Sequence, residues 1–183
     1  RYVRTGLIMD FLLGSPKHAL TSRMFDGLQV FPTCNNSPRF GQYATVQFRA
    51  LVDAGQHNVH ALQGLLSCAR SILKSHYHEQ VSLFFTSDDL GHISEVRKEL
   101  PSNVTIFWRP GPLVHTGRTR DCLNSAILDW FLMSESRVII SSGTTFGVFA
   151  GARTGFKRHS YVFLPSTNYC GPLHGSSCSG ADI

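Results

Sequence analysis

The chain alternates between short apolar runs and longer segments whose apolar residues recur at helical spacing. The short runs are rich in β-branched and aromatic residues, a pattern typical of buried strands. They predict five strands: Tyr43–Arg49, Val81–Phe85, Val104–Trp108, Arg137–Ile140 and Tyr161–Pro165. The segments between them predict four helices: Asn58 to about Tyr77, Leu90–Leu100, Thr119–Met133 and Phe146–Ala152. Regular alternation of strand and helix predicts an α/β fold, a Rossmann-like parallel sheet with helices on both faces and right-handed crossovers.

The pattern divides the chain into three parts. Residues 1–41 predict entry helices around Leu7–Met24 and an irregular connection, and residues 42–165 form the sheet domain. Residues 166–183 form a tail rich in Cys, Gly and Ser. We found no internal repeat, and neither the glycine fingerprint of dinucleotide-binding folds nor a Walker lysine.

A polar turn follows the fourth predicted strand. Ser141 to Thr145 is small and hydroxylated, centred on Gly143, and leads into a helical pattern. A helix that starts after a buried strand directs free backbone N–H groups at an anion, at the end of the sheet where ligands bind. We expect Gly143, Thr144 and Thr145 to hold a phosphate; the alternative is a well-capped turn with no ligand.

Charged residues close the first two strands. Arg49 would face the same crevice, and its guanidinium suits a diphosphate because it donates two parallel hydrogen bonds; alternatively it forms a surface salt bridge. Asp88 and Asp89 follow the second strand, where they bind a ribose hydroxyl, act through a water, or only cap the next helix. His115 lies in a loop as an acid–base candidate or a solvated side chain, and Asp129 falls on a largely apolar helix surface and needs a partner.

Composition narrows the function classes. The net charge of +5 is spread along the chain, which suits a small anion and disfavours nucleic acid. No apolar run is long enough for a membrane span, and no signal peptide is visible. Cys68 and Cys122 resemble core thiols, whereas Cys170 and Cys178 could close a short disulfide loop. Two glycosylation sequons, at Asn35 and Asn103, favour a secretory lumen.

Three separated motifs agree with one family. They are Val46-Gln-Phe-Arg49, Phe85-Thr-Ser-Asp-Asp89, and Ile127-Leu-Asp129 with Leu132-Met-Ser134 and Ser142-Gly-Thr-Thr-Phe-Gly147. Over about residues 43–155 the chain resembles the carboxyl-terminal, donor-binding domain of the fucosyltransferase superfamily, which includes α1,2-, α1,6- and protein O-fucosyltransferases. The resemblance implies the second of two Rossmann-like halves of a GT-B glycosyltransferase.

The resemblance also implies an activity and its residues. The implied reaction is metal-independent, inverting transfer of fucose from GDP-fucose to a glycan or glycoprotein, with no cofactor besides the donor and in the secretory pathway, most simply the Golgi lumen. Arg49, Asp88 and Asp89 are the catalytic candidates. An amino-terminal half of the same protein would complete the enzyme. The candidates for holding the donor are Gln47, Arg49, Ser142, Gly143, Thr144, Thr145 and Phe146.

One departure keeps alternatives open. The family places an acidic residue that reads guanine where this chain has Arg137. A scaffold or glycan-binding domain that has lost donor binding, or a transferase for another nucleotide sugar, would both fit this arginine.

Overall fold

The computed structural model describes residues 29–31, 42–49, 51–52, 56–57, 59–77, 80–109, 120–153 and 159–173. Its strands are β1 (Gln29–Phe31), β2 (Tyr43–Phe48), β3 (Leu51–Val52), β4 (Gln56–His57), β5 (Val81–Ser87), β6 (Val104–Trp108), β7 (Val138–Ser141), β8 (His159–Leu164) and β9 (Tyr169–Pro172). Its helices are α1 (Val59–His76), α2 (Ile93–Glu99), α3 (Arg120–Glu135) and α4 (Thr145–Arg153), and a 3₁₀ turn spans Leu90–His92.

Seven of these strands form one sheet in the order β1-β6-β5-β2-β7-β8-β9. The five inner strands are parallel, and β1 and β9 pair antiparallel at the two edges. Among the described residues, β3 and β4 form a separate two-stranded sheet. The predicted Rossmann-like α/β fold is therefore confirmed.

Helices bury both faces of the sheet, so successive strand residues enter different cores. Val46 and Leu83 pack with α1 and α2 on one face. Tyr43 and Phe84 pack with α3 on the other, where the Tyr43 hydroxyl donates to the Leu132 carbonyl oxygen over 2.6 Å. Two-sided burial explains why the strands appear in the sequence as nearly continuous apolar runs.

The edges of the sheet differ from the prediction. β1 lies in a segment expected to be irregular, and β9 lies in the expected tail. β9 carries Gly171 and Pro172, which are poor strand formers, but the turn 165–168 brings it back against β8. β5 continues through Thr86 and Ser87, which were expected to follow the strand, because both pair with β2. The entry helices expected at residues 7–24 and His115 lie outside the described residues.

Two predictions for the cysteines are wrong. Cys68 of α1 and Cys170 of β9 form a disulfide, with their Cα atoms 5.8 Å apart. Cys68 is therefore not a free core thiol, and Cys170 is not paired with Cys178. The sequence could not show this pairing, because the two cysteines are 102 residues apart and meet only when the β8–β9 hairpin folds beside α1.

Among the described residues, no helix is both long enough and apolar enough to cross a membrane.

Candidate functional site

The candidate site lies where the strand order reverses. From β2 the chain first builds β5 and β6 on one side of the sheet, and then returns to build β7 and β8 on the other. β2 and β7 are therefore parallel neighbours whose helices leave in different directions. In open α/β sheets, the carboxyl ends of two such strands border the ligand crevice.

A hydrogen bond joins the ends of these two strands. The backbone N–H of Arg49, one residue after β2, donates to the Ser142 hydroxyl, one residue after β7, over 3.1 Å. The backbone N–H of Ser142 in turn donates to the carbonyl oxygen of Gln47 over 3.0 Å. The prediction that Arg49 and the hydroxylated turn meet at one edge of the sheet is therefore confirmed at the level of the backbone.

The Gln47 side chain supports the turn through two hydrogen bonds. Its Oε1 atom accepts hydrogen bonds from the hydroxyls of Ser141 and Thr144, each over 2.8 Å. Gln47 and Ser141 are direct neighbours across β2 and β7, and Gln47 is only 6% exposed. In this structure Gln47 therefore positions the turn and is covered from the crevice.

The turn itself has the geometry that a helix start requires. Gly143 has a φ of +76°, a left-handed conformation that glycine adopts without steric cost. Thr144 caps α4, because its hydroxyl accepts the N–H of Gly147 over 3.3 Å. The N–H groups of Thr145 and Phe146 precede that capped position and have no acceptor within the helix.

The remaining geometry of α4 follows from its close approach to β7. A Cβ atom on Gly147 would lie 2.1 Å from the Ser141 Oγ atom, so only glycine fits there. Phe146 packs against the core beside α3, which anchors the first turn of α4. Thr145 is exposed, as is Gly143. The surface offered to a ligand thus consists mainly of backbone N–H groups and hydroxyls at a positive helix end.

The Arg49 side chain extends toward β5. Its Nε atom lies 4.0 Å from the Asp88 Oδ2 atom, and the side chains are 44% and 15% exposed, respectively. The backbone of Arg49 is thus hydrogen-bonded to the turn, and its side chain forms an ion pair with Asp88 after β5. The Arg49 side chain therefore lies on the β5 side of β2, whereas the hydroxylated turn follows β7 on the other side.

Asp89 has a structural role. Its Oδ1 atom accepts the N–H of Gly91 over 2.8 Å, and its own N–H donates to the Ser87 hydroxyl over 3.1 Å. Its Oδ2 atom lies 3.8 Å from the Nε2 atom of His92. Asp89 thus caps the 3₁₀ turn Leu90–His92, whereas His92 at the start of α2 makes no side-chain cap. Asp88 points instead to Arg49.

A buried carboxylate lies behind the crevice. Asp129 of α3 is 1% exposed and accepts hydrogen bonds from the Thr86 hydroxyl and from Arg109 Nε, each over 2.9 Å. Burial raises the pKa of Asp129 to about 6, against the opposing effects of the Arg109 guanidinium and the Thr86 hydroxyl. The sequence required a partner for Asp129 but did not identify either residue. Thr86 and Arg109 could have been predicted as its partners from their positions near the carboxyl ends of the neighbouring strands β5 and β6.

Arg137 lies at the opposite end of the sheet from this crevice. It precedes β7, and its N–H donates to the Tyr43 carbonyl oxygen at the amino end of β2 over 2.8 Å. Its guanidinium lies 5.6 Å from the centre of the Tyr77 ring. Arg137 therefore lies at the amino end of β7, whereas the hydroxylated turn lies at its carboxyl end.

No metal site is evident in the described part of the chain, where no three His, Cys, Asp or Glu side chains cluster.

The comparisons with known proteins rest on structure alone. No protein-family model matches the sequence, and no curated protein matches it either. The fold is similar to that of NodZ α-1,6-fucosyltransferase co-crystallised with GDP, with a TM-score of 0.51 and 16% identity over 85% of this chain and 44% of that one. A selenomethionine structure of fucosyltransferase NodZ from Bradyrhizobium has a TM-score of 0.46, also at 16% identity and with the same coverage. The chain therefore spans less than half the length of the GDP-bound NodZ chain, with which it shares a fold.

Proposed function

We propose that this chain is the donor-binding half of a glycosyltransferase that transfers fucose from GDP-fucose to a glycan or glycoprotein. The observation that carries the proposal is the hydrogen bond between Arg49 and Ser142 at the point where the strand order reverses. It holds the residue that carries the Arg49 guanidinium against the hydroxylated turn and the amino end of α4. These are the groups that proteins use to bind a diphosphate.

The turn supplies neutral donors, and Arg49 supplies charge. Exposed N–H groups at the start of α4 suit the phosphate oxygens because the helix dipole adds positive potential there. The Arg49 guanidinium is nearly half exposed and separated from Asp88 by 4.0 Å. Exposed ion pairs of this kind are weak. A diphosphate, with more than one negative charge, would therefore draw the guanidinium from Asp88 toward the turn.

The same groups would act in catalysis. In inverting transfer the acceptor oxygen bonds to the anomeric carbon of fucose while the bond from that carbon to the diphosphate breaks. The bonding electrons pass to the departing GDP, and the acceptor hydroxyl loses its proton to a base. Arg49 and the turn would stabilise the growing charge on GDP, and loss of one such donor typically raises the barrier by about 3 kcal/mol.

Three groups are candidates for the base that takes the proton of the acceptor hydroxyl. Asp88 lies next to Arg49, one residue after β5. Asp89 is partly occupied by the Gly91 N–H. The third candidate is a group from the amino-terminal half that the proposed GT-B architecture requires. Support for that missing half comes from the coverage of less than half of the NodZ chain.

Support for guanosine diphosphate comes from the three sequence motifs and from the GDP in the NodZ crystals. We also propose the secretory pathway, most simply the Golgi lumen, as the location. The Cys68–Cys170 disulfide supports it, because disulfides persist in oxidising compartments.

Calorimetric titration of the chain with GDP, and separately with UDP, tests the proposal. We expect saturable heat with GDP and weaker binding of UDP. Absence of heat and of a thermal shift at millimolar GDP would favour the alternative of a non-catalytic scaffold. Equal binding of both nucleotides would favour a transferase for another nucleotide sugar.

A further inference from the structure

The β8–β9 hairpin borders the same crevice. β8 is parallel to β7, so its last residue, Leu164, lies at the same end of the sheet as the turn after β7. Leu164 contacts the turn directly, because a Cβ atom on Gly143 would lie 2.8 Å from the Leu164 Cδ2 atom. The hairpin therefore forms one wall beside the groups proposed to hold the diphosphate.

An exposed aromatic ring lies next to Leu164. Tyr169 is its direct neighbour across β8 and β9, and the two residues are 46% and 39% exposed. The Tyr169 ring lies over Gly171, since a Cβ atom there would fall 2.2 Å from the Tyr169 hydroxyl and 2.5 Å from Cζ. Glycine at 171 thus lets the ring rest on the strand. We call Leu164 and Tyr169 the hairpin platform.

The stretch of the hairpin that carries the platform is itself uncharged. From Ser160 to Leu173 the sequence contains no Asp, Glu, Lys, Arg or His, although the whole chain carries a net charge of +5. The connecting turn, 165–168, is exposed and offers two hydroxyls and the Asn168 amide. Asn168 has a φ of +50°, which fixes the sharp reversal beside the ring.

These features select one class of ligand. A flat apolar surface with neutral hydrogen-bonding groups at its margin suits a sugar ring, which has a C–H face and hydroxyls around its edge. A guanine base is bound best by a carboxylate that accepts two of its N–H groups together, and residues 160–173 include none. A charged sugar would find no counter-ion among residues 160–173.

We propose that the hairpin platform binds a neutral sugar ring of the acceptor, stacked on Tyr169 and contacting Leu164. This inference rests on the proposed function, because it places the acceptor beside the donor's diphosphate. Leu164 is the part of the platform that lies against Gly143. An acceptor bound there would lie close to a sugar attached to that diphosphate.

Saturation-transfer NMR with millimolar lactose and, separately, cellotetraose tests the inference on the wild-type chain. We expect signal from at least one of them, and about tenfold weaker binding by Tyr169→Ala. Tyr169→Phe is the matched control and should keep most of the affinity, because it keeps the ring. Gly171→Ala retains the tyrosine but displaces the ring, and should weaken binding as Tyr169→Ala does. Absence of saccharide signal from the wild type, or full binding by both Tyr169→Ala and Gly171→Ala, would overturn the inference.

Parallel GDP titrations of the same proteins separate this inference from the proposed function. We expect Tyr169→Ala to bind GDP as the wild type does. A loss of GDP affinity in this variant would mean that the platform holds the nucleotide, and a Tyr169-dependent dimer in sedimentation would mean that it holds a second chain; either result contradicts the inference. Saccharide binding by a wild-type chain that does not bind GDP would reject the donor assignment alone.

Discussion

The backbone N–H of Arg49 and the hydroxyl of Ser142, 93 residues apart in sequence, are joined by a 3.1 Å hydrogen bond. This bond fixes the strand end that carries the arginine against the turn that starts α4. The arrangement therefore depends on the pairing of β2 with β7. Three other features give separate predictions: Gln47, which supports the turn; the buried Asp129; and the Cys68–Cys170 disulfide.

Replacement of Gln47 by methionine should loosen the turn. The side-chain volume is similar, but the hydroxyls of Ser141 and Thr144 lose their shared acceptor. Ser141 is 3% exposed, so we expect the free energy of unfolding to fall by about 1–3 kcal/mol. GDP affinity should fall as well, although Gln47 is covered from the crevice.

Chemical denaturation and GDP titration measure both effects of Gln47→Met. Gln63→Met is the matched control, because Gln63 is exposed on α1, and it should change stability by less than about 0.5 kcal/mol. If Gln47→Met changed stability no more than this control does, Gln47 would not support the turn.

Ionisation of Asp129 should reduce stability as the pH rises. Its folded pKa, raised to about 6, lies above its ordinary value, so the folded chain binds more protons than the unfolded chain between those two values. The contribution of Asp129 is therefore most favourable below about pH 4 and declines as the pH rises to about 6. Asp129→Asn removes this decline, whatever its effect on absolute stability.

The measurement is the free energy of unfolding from pH 4 to pH 7 for wild type and Asp129→Asn. Their difference cancels the titration of most other groups. We expect wild type to lose stability relative to the variant as the pH rises. A difference that stays constant with pH, or that changes in the opposite sense, would show that the pKa of Asp129 is not raised.

Removal of the Cys68–Cys170 disulfide should destabilise the chain strongly. It ties α1 to β9 across 102 residues, and the loss of a native disulfide in a small domain typically costs about 2–5 kcal/mol. We expect a reducing agent to lower the Tm of wild type. The double variant Cys68→Ala/Cys170→Ala should have that lower Tm with or without reductant. A reductant-insensitive wild type would contradict the pairing.

The central strands and helices were predictable because each carries its own periodic signal. Val81–Ser87 and α1 are buried in patterns that the sequence displays directly. The strands at the sheet edges were not predictable in this way, because β9 becomes a strand only through its pairing with β8. Local sequence patterns therefore predict the buried strands and helices, whereas the edge strands are determined by long-range contacts.

The candidate site was predictable to a similar extent. Arg49 and the turn follow strands, so their meeting at one sheet edge follows from parallel topology. The inward role of Gln47, the link from Asp88 to Arg49 and the partners of Asp129 depend on side-chain directions. Those directions are set by tertiary packing, which no local pattern encodes.

Calorimetric titration of Arg49→Ala with GDP tests the central claim most directly. We expect this variant to unfold at the wild-type temperature but to bind GDP about 10–100-fold more weakly, because a hydrogen bond to a charged group contributes about 1.5–3 kcal/mol. Arg70→Ala is the matched control: Arg70 is an exposed arginine of α1 paired with Glu99, and its loss should leave GDP affinity unchanged. Wild-type GDP affinity in Arg49→Ala would contradict the claim that Arg49 and the turn after β7 together hold a diphosphate.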